Sequence, residues 1–247
     1  MSKVDIKELM DAGVHFGHRT DRWNPKMRPF IFEARNGIYV INLSESARQL
    51  EQAQEFLRSI ASEGKRILFV GCKKQAQESV KEFATKSNSF YVSERWMGGT
   101  LTNLTTIRRS VARMKQIDEL EAKGQLEKMP KQEVAVLRRE SVKLHRNLDG
   151  IREMERPPAA LVIVDVVREH IAVAEAKRLG IPVVGIVDTN ADPDLVDYPI
   201  AANDDAIRSI RVILETLSNA ISSTSKSGGK RGAKGTESTP EEVGVSA

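Results

Sequence analysis

The stretch LVIVDVVREHIAVAEAKRLGIPVVGIVD, Leu161 to Asp188, decides the fold class. Leu161-Val162-Ile163-Val164 is a continuous β-branched and apolar run that ends in Asp165. Glu169 to Leu179 carries helical spacing and stops at Gly180. Ile181 to Val187 is a second apolar run, and it ends in Asp188. Strands with no polar alternation are buried on both faces, and helices that join such strands imply a parallel sheet. Upstream, Ile67-Leu68-Phe69-Val70 closes on Gly71, Lys73 to Lys86 is helical, and Phe90-Tyr91-Val92 is a short strand. Downstream, Ala206 to Ile221 forms a last helix, with Asn203 as its N-cap. The pattern predicts an α/β domain with a doubly wound parallel sheet and helices on both faces.

Other segments surround this core. Asp5 to Ala12 reads as a short helix and His15 to Pro29 as irregular chain. Phe30 to Phe32 and Ile38 to Ile41 are β-like, joined by Asn36-Gly37, whose residues both tolerate the positive φ of a hairpin turn. A helix from about Ser44 buries Ala47, Leu50, Ala53, Leu57 and Ile60 and ends at Gly64. Residues 104–156 break the rhythm. Leu104, Ile107, Val111, Met114 and Ile117 make one stripe; Val134, Leu137, Leu144, Leu148 and Ile151 make another, interrupted by Ser141. With Gly124 to Pro130 as a turn, this predicts an inserted antiparallel helical hairpin whose stripes cover each other, an arm that needs no support from the sheet. The expected organisation is a core of 1–103 plus 157–221, with an N-terminal extension 1–42, the hairpin 104–156, and a disordered basic and polar tail 222–247.

Composition excludes several classes. One cysteine, Cys72, allows neither an intrachain disulfide nor a thiolate zinc cage, and suggests a reducing cytoplasm. No apolar run approaches membrane-spanning length, and the first residues do not have a signal-peptide layout. Net charge is +4, a mild bias whose placement matters more than its size. Arg19, Arg22, Lys26, Arg28 and Arg35 crowd one loop region against Asp21 and Glu33. Gly71-Cys72-Lys73-Lys74 sits where a phosphate loop would, but lacks the glycines of either known fingerprint; Lys73 and Lys74 remain candidates for an RNA phosphate. Trp23 and Arg95 are candidates for stacking on bases, whereas Trp96 reads as a core plug and Cys72 as a buried thiol without a base.

Asp188, Asp192, Asp194, Asp197, Asp204 and Asp205 gather after the Ile181–Val187 strand. With His15 and His18 they offer an oxygen–nitrogen set for a divalent metal, Zn or Mg, most directly His18, Asp188, Asp204 and Asp205. The alternative is turn chemistry and helix capping.

An ordered series of segments resembles the small-subunit ribosomal protein two family: Ala12-Gly13-Val14-His15-Phe16-Gly17-His18, Asn24 to Ile31, Arg35 to Ile38, Glu94 to Asn103, Pro158 to Asp165, Glu169, Ala174, Glu175, Leu179 to Val184, Asp188 to Pro193, and Asn203 to Ala206. Ile200-Ala201-Ala202-Asn203 departs from the family's usual Ile-Pro-Gly-Asn. The resemblance implies a Rossmann-like (flavodoxin-like) sheet with an inserted coiled-coil hairpin, and a cytoplasmic, non-catalytic role in the ribosome. It also implies binding to 16S rRNA near the head–body junction, with other small-subunit proteins as neighbours, ribosomal protein one above all. The RNA contacts expected are Arg19, Arg22, Trp23, Lys26, Arg28, Arg35, Lys73, Lys74, Arg95, Arg108, Arg109 and Arg113, with no small-molecule substrate and no membrane. A small-molecule enzyme of the sugar-phosphate-binding kind on the same fold is the rival reading.

Overall fold

The computed structural model describes residues 5–228. Its centre is a five-stranded parallel sheet of β4 (Ile67–Val70), β5 (Phe90–Val92), β6 (Ala160–Val164), β7 (Val183–Val187) and β8 (Tyr198–Ala201), in the spatial order β5-β4-β6-β7-β8. Every residue of β4, β6 and β7 is buried, as their unbroken apolar composition predicts. Leu68 pairs with both Phe90 and Leu161, and Leu161 with Val183. β8 is absent from the sequence reading because Pro199 interrupts it. Proline is tolerated there since β8 is an edge strand with one hydrogen-bonding side free.

Alternate residues along each strand divide the core into two layers. Ile67, Phe69, Val162 and Val164 point to one face and pack on α2 (Leu43–Ser62), α3 (Lys74–Lys86) and α7 (Ile207–Gly228) through Leu50, Leu57, Val80, Phe83, Ile213 and Leu217. The short α1 (Ile6–Asp11) adds Leu9 to this layer. Leu68, Val70, Leu161 and Ile163 point the other way, onto α6 (His170–Leu179) through Ala172, Val173 and Ala176. α6 stops at Gly180, whose φ is 66°.

The hairpin completes that second layer. α4 (Leu104–Ala122) and α5 (Lys131–Leu148) are joined by a short connection. Ile107, Val111 and Met114 from the start of α4 share the sheet's core cluster with Leu148, Ile151 and Met154 from the end of α5 and beyond. Ile117, Leu126 and Leu137 form a separate small cluster at the far end. The helices therefore run antiparallel, as expected, but the expected self-sufficient arm is not what forms. Only the tip is covered by the hairpin alone, while the base is a piece of the main core.

The N-terminal segment folds as β1 (Phe16–Arg19), β2 (Ile31–Arg35) and β3 (Ile38–Ile41), an antiparallel sheet in the order β1-β3-β2. Asn36 and Gly37 have φ of 52° and 75°, so the dipeptide is the tight turn its sequence predicts. β1 lies within the stretch read as irregular. α7 continues past Ile221 to Gly228, so the expected tail begins as helix; the remainder of that tail, 229–247, lies outside the described residues.

Candidate nucleic-acid interface

Four loops at the carboxyl ends of β4, β6, β7 and β8 bring Lys73, Asp165, Asp188, Asp204 and Asp205 together. The Lys73 ammonium lies 2.7 Å from carboxylate oxygens of both Asp204 and Asp205 and 3.4 Å from Asp165. Burial works against its charge, but the hydrogen bonds to Asp204 and Asp205 outweigh it and hold its pKa above the ordinary lysine value. Lys73 is thus an internal counter-ion rather than a ligand for RNA phosphate, which corrects the expectation drawn from its place after β4. Its neighbour Lys74 is exposed.

β1 closes the cluster from above. The His18 imidazole lies 3.1 Å from Asp188 and 3.5 Å from Asp205, and its backbone N–H donates to Thr189 Oγ1 at 2.9 Å. The hydrogen bond to Asp188 raises the His18 pKa against the effect of burial. Gly17 permits this approach: a Cβ there would sit 2.5 Å from Thr189 Cγ2 and 3.0 Å from the Tyr39 carbonyl. Burial, then the neighbouring carboxylates Asp165 and Asp188, push Asp204 up to about 7, with Lys73 pulling the other way. The cluster thus holds four carboxylates against one ammonium and one imidazole.

His18, Asp188 and Asp204 have ligand atoms all within 4.8 Å of one another, a donor set of imidazole nitrogen and carboxylate oxygen that suits a divalent cation. Asp205 is turned toward Lys73 and contributes less. His15 does not join: its ring packs at a tilt against Phe16, centroids 4.1 Å apart, and burial lowers its pKa. Asp192 and Asp194 clamp Lys26 at 2.7 and 2.8 Å, and Asp197 accepts from the Val183 N–H at the start of β7. Asn203, expected as the N-cap of α7, instead accepts from the N–H groups of Asp205 and Ala206 in the turn that precedes the helix, which begins at Ile207.

Two buried acids that the sequence reading quoted but gave no role, Glu169 and Glu175, organise the approach to the hairpin. Glu175 on α6 accepts five hydrogen bonds, from Trp96 Nε1, Thr102 Oγ1 and the backbone N–H groups of Gly99, Leu101 and Thr102, at 2.7 to 3.0 Å. Burial raises its pKa, but the donors around it win and the carboxyl is held below the ordinary range. Trp96 is the core plug expected, and the turn Met97 to Thr100 is wrapped around a protein carboxylate. Glu169 accepts from the Cys72 N–H at 3.1 Å. Burial and then Glu169 push the Cys72 thiol up to about 12, so no thiolate is available for nucleophilic chemistry. The signal for Asp165 was present: it ends β6 as Asp188 ends β7. Glu175 gave none, because a glutamate at helical spacing looks the same whether it faces water or a loop.

The remaining expected RNA contacts are distributed outside this cluster. Arg22, Arg28, Arg35, Lys74, Arg95, Arg108 and Arg109 are exposed, and among the described residues none has an ion-pair partner within 4 Å. Arg19 lies 3.5 Å from Asp21 at the surface. Trp23 is half-buried against Tyr39, with ring centroids 5.1 Å apart. Arg113 grips Glu140 through two hydrogen bonds of 3.0 and 3.1 Å across the hairpin, so it and Lys26 already hold protein carboxylates. The sequence profile of ribosomal protein S2 matches residues 9–224, nearly all of the described chain.

The chain belongs to the ribosomal protein S2 family. Members of the ribosomal protein S2 family are structural components of the small ribosomal subunit, not enzymes, which removes the sugar-phosphate enzyme as a rival. Membership gives this chain ribosomal RNA and other small-subunit proteins as its partners. Among the described residues, no helix is long and apolar enough to cross a membrane.

Proposed function

We propose that this protein is held in the cytoplasmic small ribosomal subunit by 16S rRNA near the head–body junction, and that it helps seat ribosomal protein one for translation initiation. The observation that carries the RNA reading is the set of exposed cations Arg22, Arg28, Arg35, Lys74, Arg95, Arg108 and Arg109, which among the described residues have no ion-pair partner. Arginine without a carboxylate partner suits phosphate, because its planar fork donates two parallel hydrogen bonds. Support for a protein neighbour comes from the small sheet. β2 is an edge strand and displays Phe32, 70% exposed, with Phe16 exposed on β1. The RNA reading is tested by binding to 16S rRNA as a function of salt. About five phosphate contacts give a log–log slope of about −4. Charge reversal at Arg22, Arg28 and Arg35 should flatten that slope, and a wild-type affinity indifferent to salt would refute the reading.

A second reading follows from the geometry at the carboxyl ends. We propose that His18, Asp188 and Asp204 hold a divalent cation, Mg²⁺ or Zn²⁺, which would tie β1 to the ends of β7 and β8. The support is the mixed nitrogen–oxygen donor set and the excess of carboxylates over cations around it. Elemental analysis of the native protein should find about one equivalent, as a single site requires, and lose it in Asp188→Ala. Metal-free native protein would exclude the site.

A further inference from the structure

The opposite end of the sheet carries a groove of about 1060 Å³. It lies where the chain enters the strands: Lys65 and Arg66 precede β4, Pro157 to Ala159 precede β6, and Gly180 to Pro182 precede β7. The base of α4 forms its other wall. Its floor is apolar, built from Phe90, Ile107, Val111, Ile151, Met154 and Ile181. Its rim is cationic, with Lys65, Arg66, Arg108, Lys115, Arg152 and Arg156 against only Glu153 and Glu155. Neighbouring acids engage half of these cations: Glu63 pairs with Lys65, Glu153 with Arg66 and Asp118 with Arg152. Arg108, Lys115 and Arg156 are exposed, and among the described residues have no ion-pair partner. The Arg66 guanidinium already lies over the Phe90 ring, 5.0 Å from its centroid.

We propose that this groove receives one unpaired nucleotide of the ribosomal RNA, its base on the apolar floor and its flanking phosphates on Arg108, Lys115 and Arg156. The proposal rests on the RNA reading above and adds a place and a chemistry to it. A paired helix offers phosphates and riboses but keeps its base faces stacked, so it would satisfy the rim and leave the floor uncovered. An unpaired nucleotide supplies both an anion and a flat apolar face. Four of the six rim cations are arginines, whose planes stack on bases as lysine ammonium groups do not. Charge also decides between the two ends of the sheet. At the carboxyl end, where α/β proteins usually bind ligands, the central cluster holds excess carboxylate and leaves only surrounding cations such as Lys74 and Arg95 for phosphate, whereas the amino-end groove is itself ringed by cations.

The test uses the full-length protein and two labelled RNA hairpins of equal length, one fully paired and one with a single bulged adenosine. Wild type should prefer the bulged hairpin by about ten-fold, the scale of one base stacked on a protein surface. Ala112 lines the groove from the exposed side of α4. Ala112→Trp should fill it without touching a charge, reducing the preference to about two-fold or less while paired RNA binds as before. Circular dichroism of Ala112→Trp confirms that its fold is retained. Arg108→Ala with Arg156→Ala should weaken binding of both RNAs. The proposal is overturned if wild type shows no preference, or if Ala112→Trp keeps it. It is also overturned if an acidic leucine-rich peptide displaces neither RNA yet is itself lost from Ala112→Trp, which would make the groove a protein dock. Absence of binding to either RNA would instead remove the RNA reading itself.

Discussion

Replacing Glu175 with Gln should lower stability by about 2–4 kcal/mol, since hydrogen bonds to a charged acceptor are the strong ones and unsatisfied buried donors carry the full desolvation cost. The carboxylate meets only donors: one indole N–H, three backbone N–H groups and one hydroxyl. The amide keeps one acceptor oxygen and turns an NH₂ toward indole or backbone N–H groups that cannot accept. The sign with pH follows from the depressed pKa of Glu175. Its contribution is fully present above the ordinary glutamate range and is lost as pH falls through the lowered value, so wild type and variant should converge in acid. Urea denaturation at neutral and acid pH measures this, and amide exchange at Gly99, Leu101 and Thr102 reports the loop itself. An unchanged urea midpoint with protection retained at those three amides would show that the carboxylate is not what orders the turn. The same loop carries Arg95 and leads into α4, so the variant should also bind rRNA more weakly.

Deleting Leu104 to Met154 and closing the gap with a Gly-Ser linker should abolish cooperative folding. The deletion removes Ile107, Val111, Met114, Leu148, Ile151 and Met154 from the cluster that covers Leu68, Leu161 and Ile163. At about 1.5–3 kcal/mol for each of these six buried apolar side chains, the loss is about 9–18 kcal/mol, as large as the whole stability of an ordinary domain. Removing only Ile117 to Leu137 takes away the separate tip cluster and should leave the melt cooperative. Thermal denaturation followed by circular dichroism distinguishes the two. A sharp, native-like transition in the longer deletion would restore the hairpin to the status of an appendage.

That second prediction reverses the sequence-based expectation, and the reason is physical. An apolar stripe at helical spacing states that one face is covered, not what covers it. The stripe of Ile107, Val111 and Met114 satisfied the arithmetic of a helix pair while also belonging to the sheet's core cluster. The continuous runs of β4, β6 and β7 were legible because burial on both faces leaves no room for polar alternation, and Asn36-Gly37 because few other dipeptides accept two positive φ values. β8 was hidden by Pro199, and the environment of Lys73 by contacts with residues about 90 to 130 positions away. Exposed cations such as Arg22 and Arg28 were readable as a group, while Lys26 and Arg113 were not separable from them until their carboxylate partners were in view.

The anchoring of β1 also imposes an order on biosynthesis. His18 is held by Thr189 and Asp188, Asn24 donates to the Thr189 carbonyl, and the Asn203 N–H donates to Val14. β1 is therefore fastened in part by residues more than 160 positions downstream. Until residues 188–203 have emerged, β1 lacks these partners, although Leu9, Val14, Met27 and Ile41 already have core neighbours upstream, and non-local contacts of this span are late events in folding. The loop that carries Arg22 and Arg28 therefore gains its anchor to the parallel sheet only once residues 188–203 are in place.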